Sequence, residues 1–292
     1  MIDTNPRRSL TLARQMWTRF EPIHAITYFS AEARDAYEAV GLRGYWRGYF
    51  AGRAAPLGPL DAAPVIAMFY GFAPQMVQRA LPDVWSRATP AQTLHARRTG
   101  AEAALLRLAV DVEPSALAEA ADLAEAAVDL LEPEGRPLGA ANMALPRDPD
   151  ASALARVWQA ATTMREHRGD GHVAALVTYG FGGIESVVWR AGDANRAEMQ
   201  QYRGWTDGEW DAATTRLVDR GWLRPDGSHT PDGADAYAAA EAATDRAATR
   251  VWDAFGAERT ERLRDRLTPL AVLAFTSIPG SNPMGVPHPT GG

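Results

Sequence analysis

The chain has 292 residues, 46% of them hydrophobic and 23% charged, which is enough apolar content for a buried core and excludes global disorder. It has no cysteine, so disulfides, thiolate zinc sites, iron–sulfur clusters and cysteine nucleophiles are all ruled out. The formal net charge of −6 runs against the basic surplus with which a general nucleic-acid binder displaces phosphate counterions, although a local basic face stays open to it.

From the N-terminus, the stretch before Trp17 has arginines but no apolar run after them, so no secretory leader is expected. No window approaches ~18 consecutive apolar residues, so no membrane span is expected. Together with the missing cysteines, this gives a cytoplasmic expectation. Leu12, Met16 and Phe20 recur at fourfold spacing and predict a helix over 9–20. Ser30 reads as the N-cap of a helix over 31–40, with Gly41 as its stop. Residues 43–53 are rich in aromatics and arginine, and Pro56, Gly58 and Pro59 mark a turn. Asp61 caps a long helix through Val65, Phe69, Phe72 and Met76, kinked at Pro74. Thr89-Pro90 opens a helix over 90–109, and 114–131 is amphipathic on Leu117, Leu123, Val128 and Leu131.

The Pro/Gly-rich stretch 132–150 reads as a boundary. Beyond it, Asp150 or Ser152 starts a helix, 167–171 is a glycine-rich break, and Val173 resumes. Thr206 begins a helix ending at Gly221. A short strand Trp222-Leu223-Arg224, an Asp226-Gly227 turn and a Thr230-Pro231 helix start follow. Helix, glycine, strand, turn, helix is the winged-helix order. Residues 278–292 are rich in Pro, Gly, Ser and Asn and read as a flexible or loosely docked tail.

Several short strings recur in order. Leu12-Ala13-Arg14 with Trp17 matches Leu154-Ala155-Arg156 with Trp158, His24-Ala25 matches His172-Val173-Ala174, and Thr89-Pro90 matches Thr230-Pro231. The expected fold is therefore mainly α: a duplicated winged helix, with short β-wings, forming an intramolecular pseudo-dimer. The repeats would span 9–131 and 150–277. The last ordered part resembles the C-terminal half of MarR-like winged-helix domains. On "FEPIHAITYFSAEA" (20–33), "GYFAGRAAPLG" (48–58), "REHRGDGHVAALV" (165–177) and "RLVDRGWL…HTPDG" (216–233), the whole chain resembles an actinobacterial helix-turn-helix family often labelled SalK-like. That resemblance implies a winged-helix architecture and carries no activity with it.

A DNA reader needs polar and basic side chains on its recognition helix. The first repeat offers the apolar run 64–72 there and the second opens its helix with Asp207, Glu209 and Asp211, so sequence-specific DNA is not expected as a partner. A small organic ligand is. The pseudo-equivalent His24 and His172, which would meet at the seam between the repeats, are the candidates for proton transfer, with Tyr28 as a donor. Glu166, Arg168 and Asp170 flank His172, and Gly169 and Gly171 would let backbone approach a ligand. Arg53 or Arg168 would hold an anionic group. Tyr49, Phe50, Arg53, Phe69 and Phe72 suit an aromatic or polyketide-like compound. Each histidine could equally cap a helix, and each aromatic could be ordinary core. No cofactor is expected. Glu166, His167, Asp170 and His172 fit no standard metal spacing, and only the histidines speak for a haem. The function expected is a specialised-metabolism enzyme working by acid/base chemistry, with a ligand-responsive regulator or ligand-sequestering protein as the alternative.

Overall fold

A computed structural model describes residues 11–280 and 282–290. Residues 9 and 10, where the first helix was expected to start, lie outside that range. The described chain is almost wholly helical. In order, the helices are α1 (Leu12–Phe29), α2 (Ala31–Ala39), α3 (Tyr45–Ala54), α4 (Ala62–Phe69), α5 (Pro74–Gln78), α6 (Pro90–Leu108), α7 (Pro114–Val128), α8 (Pro137–Met143), α9 (Ala153–Thr178), α10 (Gly183–Ala191), α11 (Arg196–Arg203), α12 (Asp207–Asp219), α13 (Pro231–Ala247), α14 (Arg250–Phe255) and α15 (Ala257–Phe275). None is long and apolar enough to cross a membrane.

The caps set most of the starts. The side chains of Ser30, Thr89, Ser152, Thr206 and Thr230 each accept a backbone N–H three residues on, which satisfies one of the orphan donors of the first turn. Thr89 with Gln92 and Thr206 with Glu209 close full capping boxes.

Four expected elements differ. The first helix runs to Phe29, straight through Pro22, because residues 20–28 are buried on every side and packing outweighs the lost backbone bond. The long helix expected from Asp61 to Met76 is two short ones. Tyr70 ends α4 with φ of +34°, a conformation costly for a side-chain-bearing residue. The apolar run 64–72 buries Val65, Phe69 and Phe72 and leaves Pro64 and Ala67 exposed. The break expected at 167–171 does not occur: α9 is continuous for 26 residues. Its glycines let other groups close in. A Cβ at Gly171 would collide with the Arg136 guanidinium, and one at Gly139 of α8 would stand 2.7 Å from the Cα of His167. The expected strand at Trp222–Arg224 is reduced to one antiparallel bridge, Leu223 with His229, and the described residues hold no β-strand.

α1 and α9 pack against each other at the centre. α15 backs α1 and α7 backs α9, while α8 lies on α9 within the stretch read as a boundary. Three apolar clusters result. The central one joins α1, α7, α9 and α15 around Met16, Trp158 and Leu263. A second holds Phe50, Phe69 and Phe72 of the first half. The third holds Phe181, Trp189 and Trp210 of the second. The segment after α15 docks on the second cluster through buried Ile278 and Val286.

Candidate functional site

Between the second and third clusters lies a cavity of about 160 Å³. α3 brings Tyr49 and Arg53 to it, and the bend after α4 brings Phe69, Tyr70 and Phe72. α9 supplies Arg165, Gly169, Asp170 and His172, while α10 and α11 supply Arg190 and Arg203. Both halves of the chain therefore build the walls. Tyr70 ties them together: its hydroxyl donates to the Phe181 carbonyl at 2.5 Å, and its own carbonyl fills the space that a Cβ on Gly183 would need.

Four arginines face this cavity, and Asp170 is the one carboxylate among its lining residues. Arg53 is held by Glu166 behind the wall, through Nε to Oε1 at 2.9 Å and Nη2 to Oε2 at 2.8 Å. Arg165 reaches the same carboxylate at 2.9 Å and Glu21 at 3.3 Å. Burial alone would raise the Glu166 carboxyl, but the guanidiniums of Arg53 and Arg165 outweigh it and hold it far below the usual carboxylate range. Glu166 is thus a fixed anion shared by two cations.

Arg190 and Arg203 have no such partner. Among the described residues each has only the Pro283 carbonyl as hydrogen-bond acceptor, at 3.0 and 2.9 Å, and neither forms an ion pair. Arg203 lies over the Phe72 ring at 4.5 Å, and its Nε is buried without a hydrogen-bond partner. Burial, with repulsion from Arg190, Arg53 and Arg165, lowers its guanidinium to about 10. The cavity therefore carries uncompensated positive charge beside aromatic faces, with Arg53 4.0 Å from the Phe69 centroid.

Two further titratable groups, Asp170 and His172, lie on the wall. Burial raises the Asp170 carboxyl to about 6, with the Gly139 N–H on its Oδ2 at 2.9 Å pulling the other way. His172 is half-buried. Burial lowers its basicity despite Glu241, whose Oε1 is 3.6 Å from Nδ1, and Thr244 Oγ1 lies 3.1 Å from the same nitrogen.

Of the residues singled out from sequence, Tyr49, Arg53, Phe69, Phe72, Asp170 and His172 come together on this cavity. Glu166 stands just behind it, and Phe50 is core, stacked on Phe69 at 6.0 Å. His24 and Tyr28 are outside the lining. His24 is 2% exposed and both ring nitrogens are engaged, by Tyr28 at 3.0 Å and Thr162 at 3.1 Å. Burial keeps it neutral by pushing its basicity well below the ordinary range. His24 and His172 do not meet. His24 touches Thr162, and His172 is ten residues further along α9, about 15 Å at 1.5 Å per residue. Arg168 turns away from the cavity to Asp245 at 2.7 Å and lies over Trp17. Glu166, His167, Asp170 and His172 point to separate partners, and no three His, Asp or Glu side chains among the described residues converge as metal ligands. Sequence reasoning missed Arg190 and Arg203, which sit on ordinary amphipathic helices with no motif to mark them.

The model of a helix-turn-helix family matches residues 13–278. No curated protein and no solved structure matches the chain.

Proposed function

The chain belongs to a helix-turn-helix family, and on that scaffold we propose a small-molecule protein that holds an aromatic compound bearing a carboxylate or phenolate in the arginine-lined cavity between its two halves. The observation that carries this reading is Arg203, half-buried with its Nε shut from solvent and unpartnered, beside the exposed Arg190, neither with a counter-ion among the described residues. Desolvation of the unpaired Arg203 charge is costly, and a ligand anion would remove that cost. Phe69, Phe72 and Tyr49 offer ring faces to a planar body.

The scaffold is read as two diverged winged-helix units, MarR-like and of the SalK-like kind, related by an approximate two-fold axis. The exchange of partners supports this: the first helix of each half packs on the last helix of the other, α1 on α15 and α9 on α7. The chemistry proposed is acid/base catalysis in specialised metabolism. His172, neutral near pH 7, would accept a proton, and Asp170, titrating at about 6, would exchange one. His24 and Tyr28 are assigned a positioning role. The Tyr28 ring packs 4.9 Å from that of Tyr49 and sets the wall on which Arg53 rests.

The test is equilibrium binding of 1-naphthoate to the purified chain, with 1-naphthalenemethanol as the uncharged control. Saturable binding of the acid, at least about tenfold tighter than the alcohol, is expected from charge-assisted hydrogen bonds. Equal affinity for the two would overturn the reading.

A ligand-responsive regulator is the second reading, favoured by the family itself. Against it, Asp207 and Asp211 at the start of α12 hold Arg196, and Arg216 and Arg220 are tied to Glu185, so the basic side chains nearest a reading helix are already engaged. A gel shift with the gene's own upstream DNA at physiological salt separates the two readings.

A further inference from the structure

A second, larger cavity of about 280 Å³ opens on the far side of α9, between α6, α8 and the first turns of α9. It shares no lining residue with the arginine cavity described above. Its floor is Arg97, 5% exposed. The Arg97 guanidinium meets only neutral oxygens: Nη1 donates to the Gly52 carbonyl at 3.0 Å, and Nη2 to Asn142 Oδ1 at 3.1 Å and Gln159 Oε1 at 3.3 Å. Its carbon lies over the Trp158 ring at 5.4 Å. Among the described residues it forms no ion pair. The two carboxylates in the lining are already matched, Glu125 by Arg156 at 2.5 Å and Asp148 by Arg98 at 2.6 Å. Burial lowers the basicity of Arg97, as expected for a cation without a counter-ion.

The walls differ in kind from those of the first cavity. Leu94, Val128, Met143, Leu145 and Pro146 are aliphatic or thioether, and no aromatic ring other than the imidazole of His95 lines the groove. We propose that this groove is a separate binding site for an aliphatic carboxylate, with its head on Arg97 and its chain along Val128, Met143 and Leu145. Asn142 and Gln159, already hydrogen-bonded to Arg97, orient the guanidinium toward the ligand. The aliphatic walls exclude water from the chain of the acid and select against flat, polar anions.

The experiment is calorimetric titration of the full chain with octanoate, and with octanol as the uncharged control, in wild type and three variants. Octanoate should bind saturably at millimolar concentrations and at least about tenfold more tightly than octanol. Arg97→Gln should lose about tenfold or more of that affinity. Leu145→Trp fills the groove from a half-buried position, so it should abolish binding while leaving the thermal unfolding midpoint near that of wild type. Arg190→Gln, in the other cavity, should leave octanoate affinity unchanged. The proposal is overturned if octanoate does not bind wild type, if Leu145→Trp binds it normally, or if Arg190→Gln rather than Arg97→Gln removes it. Because the two cavities are probed by different acids and different variants, failure here leaves the naphthoate reading standing, and the reverse also holds.

Discussion

Arg53 grips Glu166 with two nearly parallel hydrogen bonds of 2.9 and 2.8 Å, and this buried clasp joins α3 of the first half to the middle of α9. Glu166 also neutralises Arg165. Glu166→Gln would therefore strand the buried Arg53 and leave the half-buried Arg165 with Glu21 alone, beside a cavity that already holds Arg190 and Arg203. The expected loss is about 3–5 kcal/mol, the range for stranding a buried charge. Added sulfate should restore more stability to this variant than to wild type. Thermal unfolding with and without sulfate reads both effects.

Arg203 predicts the opposite sign. Its charge is desolvated and repelled by its neighbours, so Arg203→Met, which keeps apolar packing on Phe72, should stabilise the ligand-free chain by about 1 kcal/mol. Urea unfolding checks this. A loss of several kcal/mol would mean that the Pro283 contact outweighs the repulsion.

Asp170 makes stability depend on pH in a direction that can be worked out. Its carboxyl is raised from 3.8 to about 6 in the folded chain, so the folded state holds the proton more tightly. That contribution is fully present below about pH 4 and is lost as pH rises to about 6. Asp170→Asn keeps an oxygen for the Gly139 N–H and carries no charge. It should be more stable than wild type by about 2–3 kcal/mol near pH 8, with the difference vanishing near pH 4. His24 acts in the opposite sense: its basicity is lowered from 6.5, so stability is lost as pH falls below that value and through the lower folded value. Unfolding midpoints from pH 4 to 8 in the Asp170→Asn and His24→Gln variants separate the two slopes.

Two glycines on or against α9 should behave differently. Gly139→Ala would press a methyl to 2.7 Å from the His167 backbone, which cannot yield, so overpacking of about 1–3 kcal/mol should exceed the ~1 kcal/mol gained in helix propensity. At Gly169 the nearest atoms are 3.8 Å away, so Gly169→Ala should be neutral or stabilising and should lower ligand affinity if a ligand lies against that backbone. Melting curves and a naphthoate titration on each variant decide the matter.

What was legible in the sequence was local. Ser30, Thr89-Pro90, Thr206 and Thr230-Pro231 announce helix starts because a cap involves only four residues. The glycines at 169 and 171 read as a break because each costs a helix about 1 kcal/mol, but the reason for Gly171, the Arg136 guanidinium pressed against α9, is tertiary and cannot be read locally. At the site, Arg53, Glu166 and Asp170 stood out because charged residues sit among aromatics and glycines. Arg190 and Arg203 did not, since an arginine on an amphipathic helix usually faces water. Their convergence depends on how α10 and α11 dock beside α3, and no spacing encodes that. The paired histidine strings suggested one seam, yet the side chains face different neighbours, His24 with Thr162 and His172 with Thr244.

The central claim is that the arginine cavity takes an aromatic anion through Arg190 and Arg203. Fluorescence titration of 1-naphthoate into wild type and an Arg190→Gln/Arg203→Gln double variant tests it most directly. The account predicts saturable binding to wild type and a loss of about a hundredfold or more in a double variant that still unfolds cooperatively. Undiminished affinity in that variant, or no binding to wild type, would contradict it.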